Sequence, residues 1–462
     1  MSKLIQSLSA LWLAVVCATA SAVSPADGSD AVLAVHSQPE GELRLQYTRD
    51  AAGEDAQMIT LGLAQDYHYL RDVNGLRVYD YRLRRIYSAG PGNEFANDSL
   101  YAEVWFRTAE IESRVRLRKA LQAGAISPDK APSLQDPFWM ESELGVTAPG
   151  LPRPVLQRSE ADGRIRWLLD GAEVVAVRYD AEPVPPGIRA GLRRMWSTFA
   201  HIHPSIADDL TASGQIPNEL WVTTMQPGKS STVLHWKLTA RHWESHARFP
   251  LSPHLIARPT TSAGAFPEIF KLLSKEIADR KLPPTQDAYV ARTQSALDRG
   301  AGLEALLVLI EMNLAAGHPS GQCLPSDPRV YCTLSVKAGP LIKSDPRYMI
   351  AFGRQSPDVG DRGQFDTVPN AYVLRLLWAT RPPGKGVVFE QTERDLLAAL
   401  SASPVADFTK DTGDFYARAW QPMAAWQVWD LGRLLAGHTG DDLLHPIDSL
   451  EDQLYVGVPS LF

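Results

Sequence analysis

Histidines are concentrated in one stretch of the chain. Six of the eleven lie between residues 201 and 254, and His235, His242 and His246 form the tightest group. Neutral imidazole is the commonest nitrogen ligand of zinc and copper in proteins. On a helix, His242 and His246 would lie on one face, four positions apart. One hypothesis is therefore a zinc or copper site formed by these three histidines and Glu244.

The local pattern favours a different interpretation. In the H-E-x-x-H motif of metalloproteases the glutamate directly follows the first histidine, whereas Glu244 stands one position too late. The preceding residues alternate between apolar and polar types, as in a half-buried strand, and no cysteine accompanies them. We therefore expect surface and turn histidines around a sheet, and no cofactor. The alternative is zinc or copper at the cluster, with Glu244 or Asp208 as the base of a metal-assisted hydrolase.

No other motif indicates a catalytic centre. The Gly-Lys pairs at 228–229 and 384–385 lack the upstream glycine of a phosphate-binding loop, and G-x-S-x-G is absent. Asp358, Asp361 and Asp366 occupy a Gly-containing stretch that could offer oxygen ligands to calcium. Because Arg362 would repel the ion, a solvated loop is the favoured interpretation.

The first 22 residues have the order of a secretory signal peptide. A lysine near the start is followed by a mainly apolar stretch from Leu4 to Val16 and by small residues from Ala18 to Ala22. Cys17 stands where a lipoprotein cysteine would, but Val16 replaces the small residue expected before it. We predict a cleaved signal at 1–22, a flexible leader at 23–40, and a periplasmic or secreted protein. Lipidation is the less favoured alternative.

Composition limits the kinds of partner that the protein can bind. The net charge of −7 for the full sequence argues against nucleic acid, and no run after the signal approaches the 18 apolar residues of a transmembrane helix. Only Cys323 and Cys332 remain after removal of the signal, and they bracket a turn-rich loop. Because exported proteins meet an oxidising compartment, we predict a disulfide between them.

The residues from 41 to 258 predict an antiparallel β-rich domain with packing helices. Alternating runs begin at Glu42, and Asn74-Gly75 separates two of them, which favours a hairpin with a primed turn. Asp162-Gly163 and Asp170-Gly171 divide a three-stranded meander. A helical pattern covers 98–123, and a proline-rich wrap is predicted at about 127–154.

From about residue 265 to 462 the pattern becomes mostly helical. Helices are predicted at 286–299, 303–316, 368–380, 392–402 and 413–436. Trp426 and Trp429 share a helical face with Met423, which is either a core stripe or a partner surface. The expected fold class is therefore α+β, with a sheet domain followed by a helical one.

These observations favour a non-catalytic binding or envelope-interaction protein. Such a protein would carry an apolar ligand or dock a protein partner, because aromatic anchors, a sheet face and helical hairpins serve both roles. The metal-assisted hydrolase is the alternative. Converging imidazoles would favour the enzyme, and scattered ones would favour the binding protein.

Overall fold

A computed structural model describes residues 41–51, 55–92, 94–125, 127, 136–224, 231–252, 256–258, 266–316, 329–344, 389–436 and 444–462. The predicted signal peptide and leader lie outside these ranges. So do Cys323, the aspartates between 358 and 366, and the predicted helix at 368–380.

The N-terminal part of the protein is built on one large sheet. Its first six strands are β1 (Glu42–Ala51), β2 (Gln57–Leu63), β3 (Tyr67–Asp72), β4 (Gly75–Asp80), β5 (Arg85–Ala89) and β6 (Glu94–Ser99). The others are β7 (Leu156–Ala161), β8 (Arg164–Leu169), β9 (Ala172–Pro183), β10 (Gln215–Thr224), β11 (Thr232–Glu244) and β12 (Ile256–Arg258). The sheet order is β12-β6-β5-β4-β3-β2-β1-β11-β10-β9-β8-β7. All neighbours are antiparallel except β12, which pairs with β6 in parallel.

The predicted hairpins are present, but one turn differs from the prediction. At Asp162-Gly163 and Asp170-Gly171 both residues have positive φ, as a primed turn requires. Between β3 and β4 only Gly75 has positive φ (133°). Instead, the backbone N–H of Asn74 donates to the Asp72 carboxylate at 2.8 Å, so the aspartate side chain closes this turn.

Four helices lie between strands of the sheet in chain order, two between β6 and β7 and two between β9 and β10. They are α1 (Leu100–Gln122), α2 (Pro137–Leu144), α3 (Arg189–Phe199) and α4 (Pro204–Ser213). Leu43, Leu45 and Tyr47 of β1 share a core with Leu192 and Trp196 of α3. One face of the sheet is therefore filled by the protein's own side chains.

A second, smaller core lies on the opposite face of the sheet. Alternate residues of β3 to β6 point there, including Tyr67, Tyr69 and Tyr87. Phe249 and Leu251, from the segment after β11, pack on these rings. Tyr67 and Phe249 meet edge to face, with ring centroids 5.2 Å apart. An apolar ligand resting on the sheet near Asn74-Gly75 would find both faces of this region occupied.

The described residues from 266 onward are mostly helical, which confirms the α+β class. Its helices are α5 (Phe266–Ala278), α6 (Gln286–Asp298), α7 (Gly302–Ala315), α8 (Val330–Ser344), α9 (Phe389–Ala402), α10 (Ala406–Arg418), α11 (Pro422–Ala436) and α12 (His445–Gly457). One core contains Tyr79 and Ile86 of the sheet together with Trp426 of α11. Arg85 of β5 pairs with Asp430 of α11 at 2.7 Å. The proposed boundary near residue 260 therefore crosses a shared core, and the division into separate domains stays a prediction.

Two helical segments differ from the sequence prediction. The predicted helix at 413–436 is interrupted between α10 and α11, where Trp420 adopts φ = 60° and Pro422 begins a new helix. The predicted proline-rich wrap contains α2, which Asp136 caps by accepting the N–H of Phe138 at 2.9 Å.

Within the described ranges, no helix is both long and apolar enough to cross a membrane.

Candidate ligand-binding site

The histidines that suggested a metal site lie apart from one another. His235 and His242 are both on β11, seven residues apart, which is about 23 Å along a strand. His246 is exposed in the turn that follows the strand. Glu244 forms an ion pair with Arg44 of β1 at 2.7 Å, and Arg44 also pairs with Glu42. Among the described residues, no three His, Cys, Asp or Glu side chains are grouped as metal ligands.

His235 belongs to a polar ladder on the surface of the sheet. Its ring stacks on Trp221 of the neighbouring strand, with centroids 4.8 Å apart and planes 8° from parallel. Its Nδ1 lies 3.3 Å from the Asp50 carboxylate. Arg164 covers the Trp221 ring at 3.9 Å from the centroid. These contacts indicate a structural role for His235 on the sheet surface.

One histidine does meet a buried carboxylate. His203 Nε2 lies 2.7 Å from Glu141, and both side chains are almost fully buried. The other ring nitrogen, Nδ1, accepts the backbone N–H of Ser205 at 3.2 Å and so caps α4. In a catalytic triad this second nitrogen would face a nucleophile. Here it is occupied by a backbone amide, which favours a structural role for the pair. Asp208, the alternative base, pairs instead with Arg193.

The tryptophans considered as a partner surface lie in the core. Trp426 is fully buried, and Trp429 is 4% exposed. Met423 packs against the same core. Trp426 Nε1 donates to Glu451 at 2.9 Å, so its polar atom is also satisfied within the chain. The structure therefore supports the core-stripe interpretation of this helix face.

Cys332 is buried in the first turn of α8. Because Cys323 lies outside the described residues, the disulfide stays a prediction.

A cavity of about 570 Å³ lies at one end of the bundle formed by α6, α7 and α8. It is bordered by the start of α6, the end of α7 and the start of α8. The lining residues are Pro283, Pro284, Gln286, Tyr289, Met312, Asn313, Ala315, Ala316, Arg329, Val330 and Tyr331. Its volume is within the usual range of small-molecule sites, and its wall mixes apolar side chains with a few polar ones, as such sites do.

Side-chain size explains why the cavity forms at this end. At the opposite end, Ala296, Ala305 and Ala338 pack together, and a side chain at Gly302 would collide with the backbone of Leu341. Small residues there allow the three helices to approach closely. At the cavity end, larger side chains separate the helices, chiefly Tyr289 and Met312. We infer that the cavity follows from this difference in residue size along the bundle.

The wall of the cavity contains a buried polar group. Tyr289 is 1% exposed, and its hydroxyl lies beside the Glu311 carboxylate. Burial and the nearby Glu311 carboxylate raise the pKa of this hydroxyl, so it stays protonated and able to donate at neutral pH. Glu311 itself is held by Arg292 at 3.1 and 3.4 Å. A ligand acceptor in the cavity would offer this buried hydroxyl a well-placed hydrogen-bond partner.

The sequence predicted the two helices of this hairpin but not the cavity between them. Tyr289 and Met312 read as core residues at helical spacing, and they do pack together. The third wall comes from Arg329, Val330 and Tyr331, which stand 13 or more residues after Ala316 in the sequence. The sequence signals at this end of the bundle are weak: two prolines before α6 and a tyrosine one turn into that helix.

No protein-family model matches the chain, and no curated protein matches it either.

Proposed function

We propose that this protein is an exported, non-catalytic binding protein that holds a small molecule between α6, α7 and α8. The observation that carries the proposal is the cavity of about 570 Å³ at one end of this bundle. Of its eleven lining residues, six are proline, methionine, alanine or valine, so most of the contact offered to a ligand is apolar.

The polar residues of the wall limit the chemistry of the ligand. Tyr289 offers a buried hydroxyl, and Gln286 and Asn313 add side-chain amides. A molecule with an apolar body and one or two acceptor groups would satisfy both parts of the wall. We therefore propose a mainly apolar metabolite whose acceptor oxygen receives a hydrogen bond from Tyr289. Removing that hydroxyl should weaken binding by about three- to tenfold, as the loss of one neutral hydrogen bond does.

The first experiment is native mass spectrometry on protein purified from its own compartment, repeated under denaturing conditions. A mass excess that disappears on denaturation would report a bound molecule, and its size would identify the class. Titration with the dye 1-anilinonaphthalene-8-sulfonate then gives a quantitative assay in the emptied protein. We expect saturable binding with one site.

Matched variants locate this binding. Ala316→Trp places a large ring in the wall of the cavity, whereas Ala291→Trp adds the same ring to an exposed position of α6 outside it. The first variant should abolish the dye signal and the co-purified mass, and the second should leave both unchanged. Equal binding by the two variants would refute the site. If the native protein has no bound mass and binds no dye, the small-molecule function is wrong and a protein partner becomes the alternative.

Export is a separate part of the proposal. It is supported by the charge, apolar stretch and small residues within the first 22 positions. N-terminal sequencing of the mature protein should begin after Ala20 or Ala22. Peptide mapping without reductant should recover Cys323 and Cys332 in one cross-linked species. An uncleaved N-terminus together with two reduced thiols would contradict export to an oxidising compartment.

A further inference from the structure

The strand β7 forms one edge of the sheet. It pairs on one side with β8, from Leu156 opposite Leu169 to Ala161 opposite Arg164, and the strand order ends with it. Within the described ranges no strand pairs with its outer side. Such an edge presents a row of backbone N–H and C=O groups, to which another chain can bind by adding a strand.

The hairpin turn determines which of these backbone groups point outward. Asp162-Gly163 is a two-residue turn with positive φ at both positions, so the residues that flank it, Ala161 and Arg164, form a hydrogen-bonded pair. Hydrogen-bonded and non-hydrogen-bonded pairs alternate along an antiparallel ladder. The backbone groups of Ser159 therefore also point to β8. The residues whose backbone groups point away from β8 are Leu156, Arg158 and Glu160.

The side chains of β7 leave this edge open to a second strand. Natural edge strands are commonly protected by lysine, by proline or by a β-bulge. β7 contains no lysine or proline, and its register with β8 is regular. Its two charged residues, Arg158 and Glu160, are exposed, and among the described residues neither forms an ion pair. One positive and one negative charge are therefore available to a partner.

These two charges favour one register between two copies of β7. The outward backbone groups meet when Leu156, Arg158 and Glu160 of both copies face each other in antiparallel order. A pair centred on Arg158 or on Glu160 places like charges opposite each other, which destabilises a cross-strand pair. A pair centred on Ser159 places Arg158 of each copy opposite Glu160 of the other. The same register brings Val155, which is 79% exposed, next to the turn of the second copy.

We propose that two copies of this protein associate through β7, as antiparallel edge strands related by a two-fold axis at Ser159. Arg158 of each copy exchanges backbone hydrogen bonds and a side-chain ion pair with Glu160 of the other. The two sheets then continue into one another. Because a pair of six-residue strands buries less surface than a stable dimer does, the dissociation constant should lie between about 10 µM and 1 mM. This proposal is independent of the cavity between α6, α7 and α8, and either can fail alone.

Sedimentation equilibrium of the mature protein tests the association, over concentrations from about 5 µM to about 1 mM. We expect a reversible equilibrium between monomer and dimer. Glu160→Arg and Arg158→Glu each place like charges opposite each other at both pairs, so each should weaken the dimer by at least about tenfold. Arg153→Glu makes the same change of charge at an exposed position before the strand and should leave the dissociation constant unchanged.

Exchange of the two charges then tests the register. The double variant with Arg158→Glu and Glu160→Arg again has opposite charges at both pairs, so its dissociation constant should return to that of the original protein. An equimolar mixture of the two single variants should form a heterodimer for the same reason. Circular dichroism confirms that each variant is folded.

A cysteine crosslink reports the two-fold axis without any change of charge. In the proposed register, Ser159 of the two copies form a non-hydrogen-bonded pair with Cα atoms about 4.5 Å apart, which is within disulfide range. Ser159→Cys should therefore give a disulfide-linked dimer when treated with diamide. Ala161→Cys is the matched control on the same face of the strand, and its two cysteines would be about 13 Å apart along the strands.

The outcomes separate this dimer from its alternatives. A monomer at every concentration would overturn the proposal. A dimer that Glu160→Arg and Arg158→Glu leave unchanged would show that another surface associates. Failure of the folded double variant to regain the affinity, or equal crosslinking of Ala161→Cys and Ser159→Cys, would show that the register is wrong.

Discussion

Ionisation of Asp98 should lower its contribution to the stability of this protein between pH 4 and neutral pH. Asp98 lies on β6, where the first sheet strands meet α11, and its carboxylate accepts a hydrogen bond from Gln427 at 3.2 Å. Burial raises its pKa from 3.8 to about 6, against the opposing effect of Arg77 and with a smaller contribution from Glu103. Asp98→Asn keeps the shape of the side chain and an acceptor oxygen for Gln427 but cannot ionise.

The size of the effect follows from the pKa shift. Below pH 3.8 the carboxyl is protonated in both the folded and the unfolded chain, so the stability that it contributes is fully present. As the pH rises through about 6, the unfolded chain ionises first and that stability is lost. A shift of about 2 units corresponds to about 3 kcal/mol. We therefore expect Asp98→Asn to raise the free energy of unfolding at pH 7 by about 1–3 kcal/mol, with no difference at pH 3.5.

Urea unfolding at half-unit pH intervals measures this difference directly. The difference between the variant and the original protein should grow between pH 4 and pH 6 and then stay constant. Asp452→Asn, an exposed position on α12, is the matched control and should show no such growth. A destabilised Asp98→Asn protein at pH 7, or a difference independent of pH, would show that the carboxylate gains more from its neighbours than it loses by burial.

Two further predictions concern the buried carboxylate of Glu42 and the glycine beside it. Tyr67→Phe removes the hydroxyl that donates to Glu42 at 2.7 Å, so the free energy of unfolding should fall by about 1.5–3 kcal/mol. An unchanged urea midpoint would contradict a net contribution from this hydrogen bond. In Gly62→Ala the added methyl group would collide with the Tyr69 ring, so the free energy of unfolding should fall by about 1–3 kcal/mol or more. In the control Gly92→Ala the methyl group meets no atom within 4 Å, so the free energy of unfolding should hardly change.

The local signals for strands predicted most of the sheet correctly. Alternation located β1 and β2, and the Asp-Gly pairs located the turns of the β7–β9 meander. These signals work because side-chain alternation and positive φ are properties of a few neighbouring residues. In contrast, β5 and β6 were not predicted. Their residues include Arg85, Asn97 and Asp98, which are stabilised by partners on α11 that only the folded chain brings near.

Two helices were not predicted, for different reasons. α4 begins after His203, whose imidazole accepts a backbone N–H where Ser, Thr, Asp or Asn would be expected. α2 carries ordinary signals, with Asp136 as cap, proline at its start and Gly145 in the left-handed conformation at its end. The density of prolines around it favoured an extended segment instead. Both helices matter for the buried Glu141–His203 pair, which was therefore not predicted either.

The candidate binding site could not be read from the residue types that usually mark a site. His235 and His242 stand seven residues apart on β11, about 23 Å along the strand, and His246 lies in the turn that follows. The cavity between α6, α7 and α8 arises instead from differences in side-chain volume between helices that meet only on folding. In the bundle, Gly302 and the alanines close one end while Tyr289 and Met312 hold the other open. Tyr289 and Met312 occur at helical spacing, as core residues do, so the sequence gives no separate signal for a cavity at this end.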